Sequence, residues 1–305
     1  MNLHKQGTTF VLLLFIFTSC SQKQSLQWIP FIWEGDTISG KYIEKAFLYV
    51  PVRIEGLPYE FTMQLDFGTY KSVFYGNTLE PYLEEATSLT DKVSSIGVYE
   101  DISLQMGDVI FNHLNISPMK DFGDKIPKDS LHSKTPKNIG TIGTDIFQNK
   151  VFIIDYKSCK FAISDSLPAE YKNLPVDKFE SINGIIKLPF RINGKECKLM
   201  FDTGSSPFQL VTTKERALDI SDSIVIDSLS GPLWWGKEIT FYGFETNKPI
   251  EFGGRVRDNS VVYYTKDGLW DSIYSSLDVW GITGNAYFFE NTVIIDYKNK
   301  LFRIK

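Results

Sequence analysis

Histidine and cysteine are scarce in this chain: three of each in 305 residues. No Cys/His group has the spacing of metal ligands, so no metal or other cofactor is expected. An excess of basic charge is also missing. The formal net charge is -5, and it becomes -6 without residues 1–19, where Lys5 is the only charged residue. With no basic run, nucleic acid is excluded as a partner. Long helical periods are absent, and no segment is long and apolar enough to span a bilayer. Ser205 and Ser206 lack a Gly-x-Ser-x-Gly elbow and a nearby histidine, which argues against a serine hydrolase. Gly140-Thr141-Ile142-Gly143-Thr144 has no lysine and no strand–glycine–helix unit, which argues against a phosphate loop.

What is present begins with Lys5, the apolar run Phe10–Phe17, and Thr18-Ser19-Cys20. The run is too short for a spanning helix and reads as a secretory signal. A cysteine directly after small residues resembles a lipoprotein cleavage site. Cys20 is then the lipidated first residue, and the membrane a partner through it. The expected location is the bacterial cell envelope, on the outer membrane. Ser21-Gln22-Lys23-Gln24 carries no acidic run, which favours the periplasmic face. Cys159 and Cys197 remain. A disulfide between them is permitted outside the cytoplasm but is not required by the sequence. His113 and His132 read as surface residues.

The most informative feature is an internal duplication. Val50-Pro51-Val52-Arg53-Ile54-Glu55-Gly56 matches Leu188-Pro189-Phe190-Arg191-Ile192-Asn193-Gly194. Asp66 follows the first glycine by 10 residues and Asp202 the second by 8. The difference suits a longer hairpin turn at Leu57-Pro58-Tyr59. Both copies also close alike. Gly143 precedes Asp155 by 12 residues, as Gly284 precedes Asp296, and Tyr-Lys follows each aspartate. A period of this length is a duplicated domain rather than a solenoid. Asp155 and Asp296 read as structural turn residues.

The expected organisation is a signal at 1–19, a tether and opening strand at 20–40, and a first lobe at 41–164. A linker at 165–182 and a second lobe at 183–305 follow. Leu48, Val50, Val52 and Ile54 fall on one face of a strand, and Thr78–Ala86 suits a short helix. Aromatic content is 14%, which fits β structure. The fold expected is all-β, with two similar barrel-like lobes and a cleft between them.

Each copy ends an apolar strand on an acidic loop: Asp66-Phe67-Gly68-Thr69 and Asp202-Thr203-Gly204-Ser205. Each later supplies an apolar segment with glycine, Ile139–Gly143 and Val279–Gly284. In these motifs the chain resembles the retropepsin/pepsin-like aspartic peptidases, and its closing pattern resembles their bacterial two-lobed lipoproteins. The resemblance covers nearly the whole chain after the signal; its motif is specific in the second copy and degenerate in the first. It implies retropepsin-like lobes, a peptide or protein substrate, and a catalytic pair, Asp66 and Asp202. One lobed chain then suffices without a dimer. Two carboxyls at close range share one proton, so one accepts a proton from water while the other donates one. Gly68 and Gly204 permit the tight turn, Thr69 and Ser205 hold the carboxyls, and Thr203 bridges the lobes. Phe67 departs from the small hydroxyl residue usual at that place. A cleft-covering flap is expected at Ile96–Glu100, with Tyr99, and Trp234 and Trp235 as cleft residues of the second lobe. The alternative is a peptide- or ligand-binding lipoprotein on the same scaffold without turnover, which Phe67 favours.

Overall fold

The alternation at Leu48, Val50, Val52 and Ile54 is realised in one 14-residue strand, where all four side chains are buried. Successive side chains leave a strand on opposite faces, so a period of two gives one face to the core. The computed structural model describes residues 26–305 except Glu85, Trp235, Gly236 and Leu269, with the backbone alone of Thr87, Pro232, Leu233 and Trp234. The signal segment and Cys20 lie outside the described residues. No helix among the described residues is long and apolar enough to cross a membrane.

Strand dominates throughout, and the fold is all-β. The first half runs β1 (Trp28–Pro30), β2 (Ile32–Ile38), β3 (Lys41–Ile54), β4 (Phe61–Leu65), β5 (Val73–Tyr75) and α1 (Gly76–Leu83). It continues through α2 (Thr87–Thr90), β6 (Tyr99–Met106), β7 (Val109–Met119), β8 (Asn138–Ile142), β9 (Val151–Asp155) and β10 (Lys160–Ser164). Pro30 ends β1, which pairs with β10, and the chain then enters a different sheet through β2. The proline therefore marks the bend between two sheets.

The second half opens with β11 (Asp177–Lys178), β12 (Glu180–Ile182), β13 (Ile185–Ile192), β14 (Lys195–Phe201), β15 (Leu210–Thr212) and α3 (Lys214–Asp219). Then come β16 (Ser221–Trp234), β17 (Lys237–Thr246), β18 (Ile250–Phe252), β19 (Arg255–Arg257) and β20 (Val261–Thr265). It ends with α4 (Asp271–Leu277), β21 (Gly281–Thr283), β22 (Thr292–Asp296) and β23 (Leu301–Ile304). The segment 165–182 is more than a connector. Leu167, Tyr171 and Leu174 cover the outer face of β9 and β22, and β11 and β12 are already sheet strands.

The duplicated motifs take the same part in both halves. Pro51 lies on β3 between the stretch paired with β2 and the stretch paired with β6. Pro189 lies on β13 between its pairings with β12 and β18. A residue without an N–H fits where a strand changes partner. Arg53 reaches Glu60 at 3.3 Å and Arg191 reaches Glu196 at 3.2 Å across the two matched hairpins.

In the first half β8 lies between β4, to which it is parallel, and β5, to which it is antiparallel. In the second, β21 lies in the same way between β14 and β15. β6 returns to pair with β3, so the first sheet closes on itself; the second remains an open path from β16 to β19. The carboxy-terminal hairpins of the two halves meet in one six-stranded sheet, where β9 and β22 pair antiparallel. Asp155 accepts from Ser158 N, and Asp296 accepts from the backbone and side chain of Asn299, so both hold hairpin turns. One continuous core crosses the boundary between halves, with Phe67, Phe147 and Phe152 beside Phe201, Phe288 and Phe302.

Candidate active site

Both acidic loops are placed by the inserted strand. Asp66 N donates to Ile142 O at 3.0 Å, and Asp202 N donates to Thr283 O at 3.0 Å. This matched anchoring at the end of β8 and of β21 brings the two aspartates face to face. Each carboxyl lies against the glycine of the opposite loop, and the charge of Asp202 acts on Asp66. Asp202 is 6% exposed, and Asp66 is half-buried.

The glycines explain the close approach. A Cβ on Gly68 would stand 2.5 Å from Asp202 Oδ1, and a Cβ on Gly204 would stand 2.8 Å from Asp66 Cγ. Each loop therefore lays its glycine backbone against the opposite carboxyl, where any side chain would collide. Gly68 N donates to Asp66 Oδ1 at 2.8 Å, and Gly204 N donates to Asp202 Oδ1 at 2.8 Å.

The two carboxyls are not equivalent. Asp202 also accepts from Ser205 N at 3.2 Å and from Ser205 Oγ at 2.8 Å. The expected counterpart, Thr69, donates its hydroxyl to Lys71 O at 3.5 Å instead. Burial raises Asp66 well above the usual carboxylate range, and the neighbouring charge and hydrogen bond of Asp202 add to this. The N–H groups of Gly68 and Gly204 oppose the shift without cancelling it. The fixed donors are thus unevenly shared: Gly204 N, Ser205 N and Ser205 Oγ serve Asp202, and Gly68 N serves Asp66.

Thr203 bridges the halves. Its hydroxyl accepts from Phe67 N at 2.9 Å and donates to Leu65 O at 2.8 Å. Phe67 offers no hydroxyl in return. Its ring is fully buried among Phe152, Phe147, Phe201 and Tyr297, with centroids 5.0, 5.7, 5.9 and 6.4 Å away. Phe147 and Phe152 belong to the first half, Phe201 and Tyr297 to the second, so aromatic packing joins what a second hydroxyl would otherwise join.

Further side-chain contacts brace the two loops. Asn285 donates to Thr203 O at 2.8 Å and accepts from Tyr156 OH at 2.7 Å. Ser206 Oγ donates to Lys45 O at 2.9 Å, tying β3 to the second acidic loop. Tyr75 OH meets Thr141 Oγ1 at 2.5 Å. Burial pushes the Tyr75 phenol up to about 12, against the Thr141 hydrogen bond and with a contribution from Asp66. On the other side, Tyr274 is raised by burial, then by Asp271, with a smaller contribution from Asp202.

Tyr99 does not belong with these groups. It opens β6, is 5% exposed, and packs edge-on against Phe74 at 5.5 Å in the core of the first half. The expected flap is a tight turn, closed by Ser94 N to Val98 O at 2.8 Å, with Ile96 pointing outward. Trp235 lies outside the described residues, and of Trp234 only the backbone, at the end of β16, is described. The segment that does cross between halves is the β2–β3 hairpin. Ser39 at its tip exchanges hydrogen bonds with the backbone of Ser230, and Lys41 reaches Asp227 at 2.9 Å.

Cys159 and Cys197 are both free thiols. Among the described residues, no group of three or more His, Cys, Asp or Glu side chains converges to hold a metal ion. No protein-family model matches the chain, and no curated protein matches it significantly.

Proposed function

We propose that the protein is an aspartic-type endopeptidase of retropepsin-like, two-lobed construction, with Asp66 and Asp202 as its catalytic pair. The observation that carries this reading is a pair of carboxyls, each packed against the glycine of the opposite matched loop, with Asp66 raised in pKa by burial and by the charge of Asp202. Asp202, ionised, takes a proton from a water molecule as the water oxygen attacks the peptide carbonyl carbon. Asp66 gives its proton to the carbonyl oxygen, and the intermediate is a neutral geminal diol. In the collapse Asp202 gives its proton to the amide nitrogen as the C–N bond breaks, while Asp66 takes a proton from a diol hydroxyl as the new carbonyl forms, which restores the pair. The fixed N–H and hydroxyl donors on Asp202 hold the base before substrate arrives, so little reorganisation is needed.

The apolar run ending in Thr18-Ser19-Cys20 supports a lipid-anchored envelope location for this activity. The second reading is a peptide binder without turnover. It is favoured by the Thr69 hydroxyl, which serves Lys71 O rather than Asp66. To separate them, the protein is incubated with denatured protein and with a peptide library between acidic and neutral pH. Cleavage that disappears in both Asp66→Asn and Asp202→Asn is the expected result. Peptide binding without cleavage, unchanged in both variants, would instead establish the binder.

A further inference from the structure

The sheet face beside Asp66 carries a wall that the hydrolytic chemistry does not use. Gln64 stands two residues before Asp66 at the end of β4 and so projects to the same side. Tyr49 and Thr141 flank Gln64 in register across β3 and β8. Phe47 lies on the same face of β3, its ring stacked on that of Tyr49 at 5.9 Å and 9°. Asn138 donates to Tyr49 OH at 3.4 Å, and Phe122 meets Tyr75 edge-on at 4.7 Å.

The opposite face of these strands, with Leu48, Val50, Met63, Leu65 and Ile142, is wholly buried. Phe47, Tyr49, Gln64, Asn138 and Phe122, by contrast, remain half-exposed, an aromatic surface open beside the reacting centre. The carboxylate charges that act on Tyr49 have one sign. Glu34 pairs with Phe47 in register, and Glu34 and Asp124 are the carboxylates whose charges act on Tyr49. Both are exposed, and among the described residues neither is in an ion pair. The nearest lysine on β3, Lys45, is turned away over the Phe289 ring at 4.5 Å.

Stacked rings with flanking carboxylates and phenol oxygens form a receptor for a long cationic side chain. The methylenes lie on the rings, the cation faces their π-electrons, and the carboxylates meet its charge. We propose that this wall sets specificity and selects peptides with lysine or arginine on the Asp66 side of the scissile bond. The proposal rests on the endopeptidase reading for turnover, though not for recognition. An acidic residue at the same peptide position would face Glu34 and Asp124 and be rejected.

The test is a positional-scanning peptide library cleaved by the wild-type chain and by the Glu34→Gln/Asp124→Asn double variant. Neither residue touches the two catalytic carboxyls. The expected result is that one position next to the cut favours Lys or Arg over Leu by about fivefold to tenfold. The double variant loses most of that preference, because kcat/KM falls more for the lysine and arginine peptides than for the leucine peptides. A wild-type preference for apolar residues, or one that the double variant leaves intact, overturns the proposal. If no peptide is cleaved, the hydrolytic reading fails by itself. Recognition is then read from fluorescent lysine and norleucine peptides binding to Asp202→Asn. Tighter binding of the lysine peptide, lost on adding Glu34→Gln and Asp124→Asn, supports the wall; equal binding of the two refutes it.

Discussion

Replacing Phe67 with threonine restores a hydroxyl at the place where the second loop has Thr203, so it tests whether aromatic packing or hydroxyl bridging holds the halves together here. The ring is fully buried and meets four others within 6.4 Å. Truncating such a phenylalanine costs roughly 3–5 kcal/mol from lost transfer energy and the cavity left behind. A threonine that mirrored Thr203 would gain two hydrogen bonds, each about 0.5–1.5 kcal/mol net. At mid-range the loss exceeds the gain, and Phe67→Thr is expected to be less stable by about 2 kcal/mol. Thr203→Val is the companion. It keeps the shape but leaves Phe67 N–H and Leu65 C=O unpaired in a buried site, at roughly 2–4 kcal/mol. Urea unfolding followed by near-ultraviolet circular dichroism measures both. A Phe67→Thr protein as stable as the wild type would refute the claim that the aromatic cluster substitutes for the missing bridge.

Gly68→Ala and Gly204→Ala push a methyl group into the opposite carboxyl, at 2.5 and 2.8 Å respectively. Turnover of a peptide substrate should fall by about 100-fold or more, since an ångström of misplacement at a reacting centre has that effect. The folded structure should persist by circular dichroism. Stability should also depend on pH in a definite direction. Asp66 is raised in the folded chain, so the folded state keeps its proton where the unfolded state releases one. This contribution is fully present below the unfolded value of about 3.9 and is lost as pH rises through the folded value. In Asp66→Asn that decline should vanish, and the variant should gain on the wild type as pH rises from 4 to 8 in a thermal-unfolding series.

The parts of the site that were legible in the sequence were those the duplication repeats. Asp66 and Asp202, their glycines and the inserted strands occur twice in the same order, and the fold places each pair alike. What was illegible depends on contacts between distant segments. Ser206 with Lys45, Asn285 with Thr203, and Tyr75 with Thr141 lie far apart in sequence, and no motif tells which residue meets which. Tyr99 misled because a glycine turn before an aromatic residue reads equally well as a flap tip. In the fold the turn is short, and the tyrosine begins a strand whose Ile102, Leu104 and Met106 share its buried face. Asp177–Ile182 is polar and reads as part of a linker, yet β11 and β12 pair into sheets through backbone hydrogen bonds that composition does not report.

The central physical claim is that two carboxyls share one proton, held by Asp66. Carbon NMR of the aspartate side-chain carboxyls, assigned with Asp66→Asn and Asp202→Asn, measures this directly as pH is varied. The account predicts that Asp66 stays protonated well above the usual carboxylate range, and that its titration moves down towards that range in Asp202→Asn. Independent titration of Asp66 and Asp202, both near the ordinary value and each indifferent to loss of the other, would contradict it.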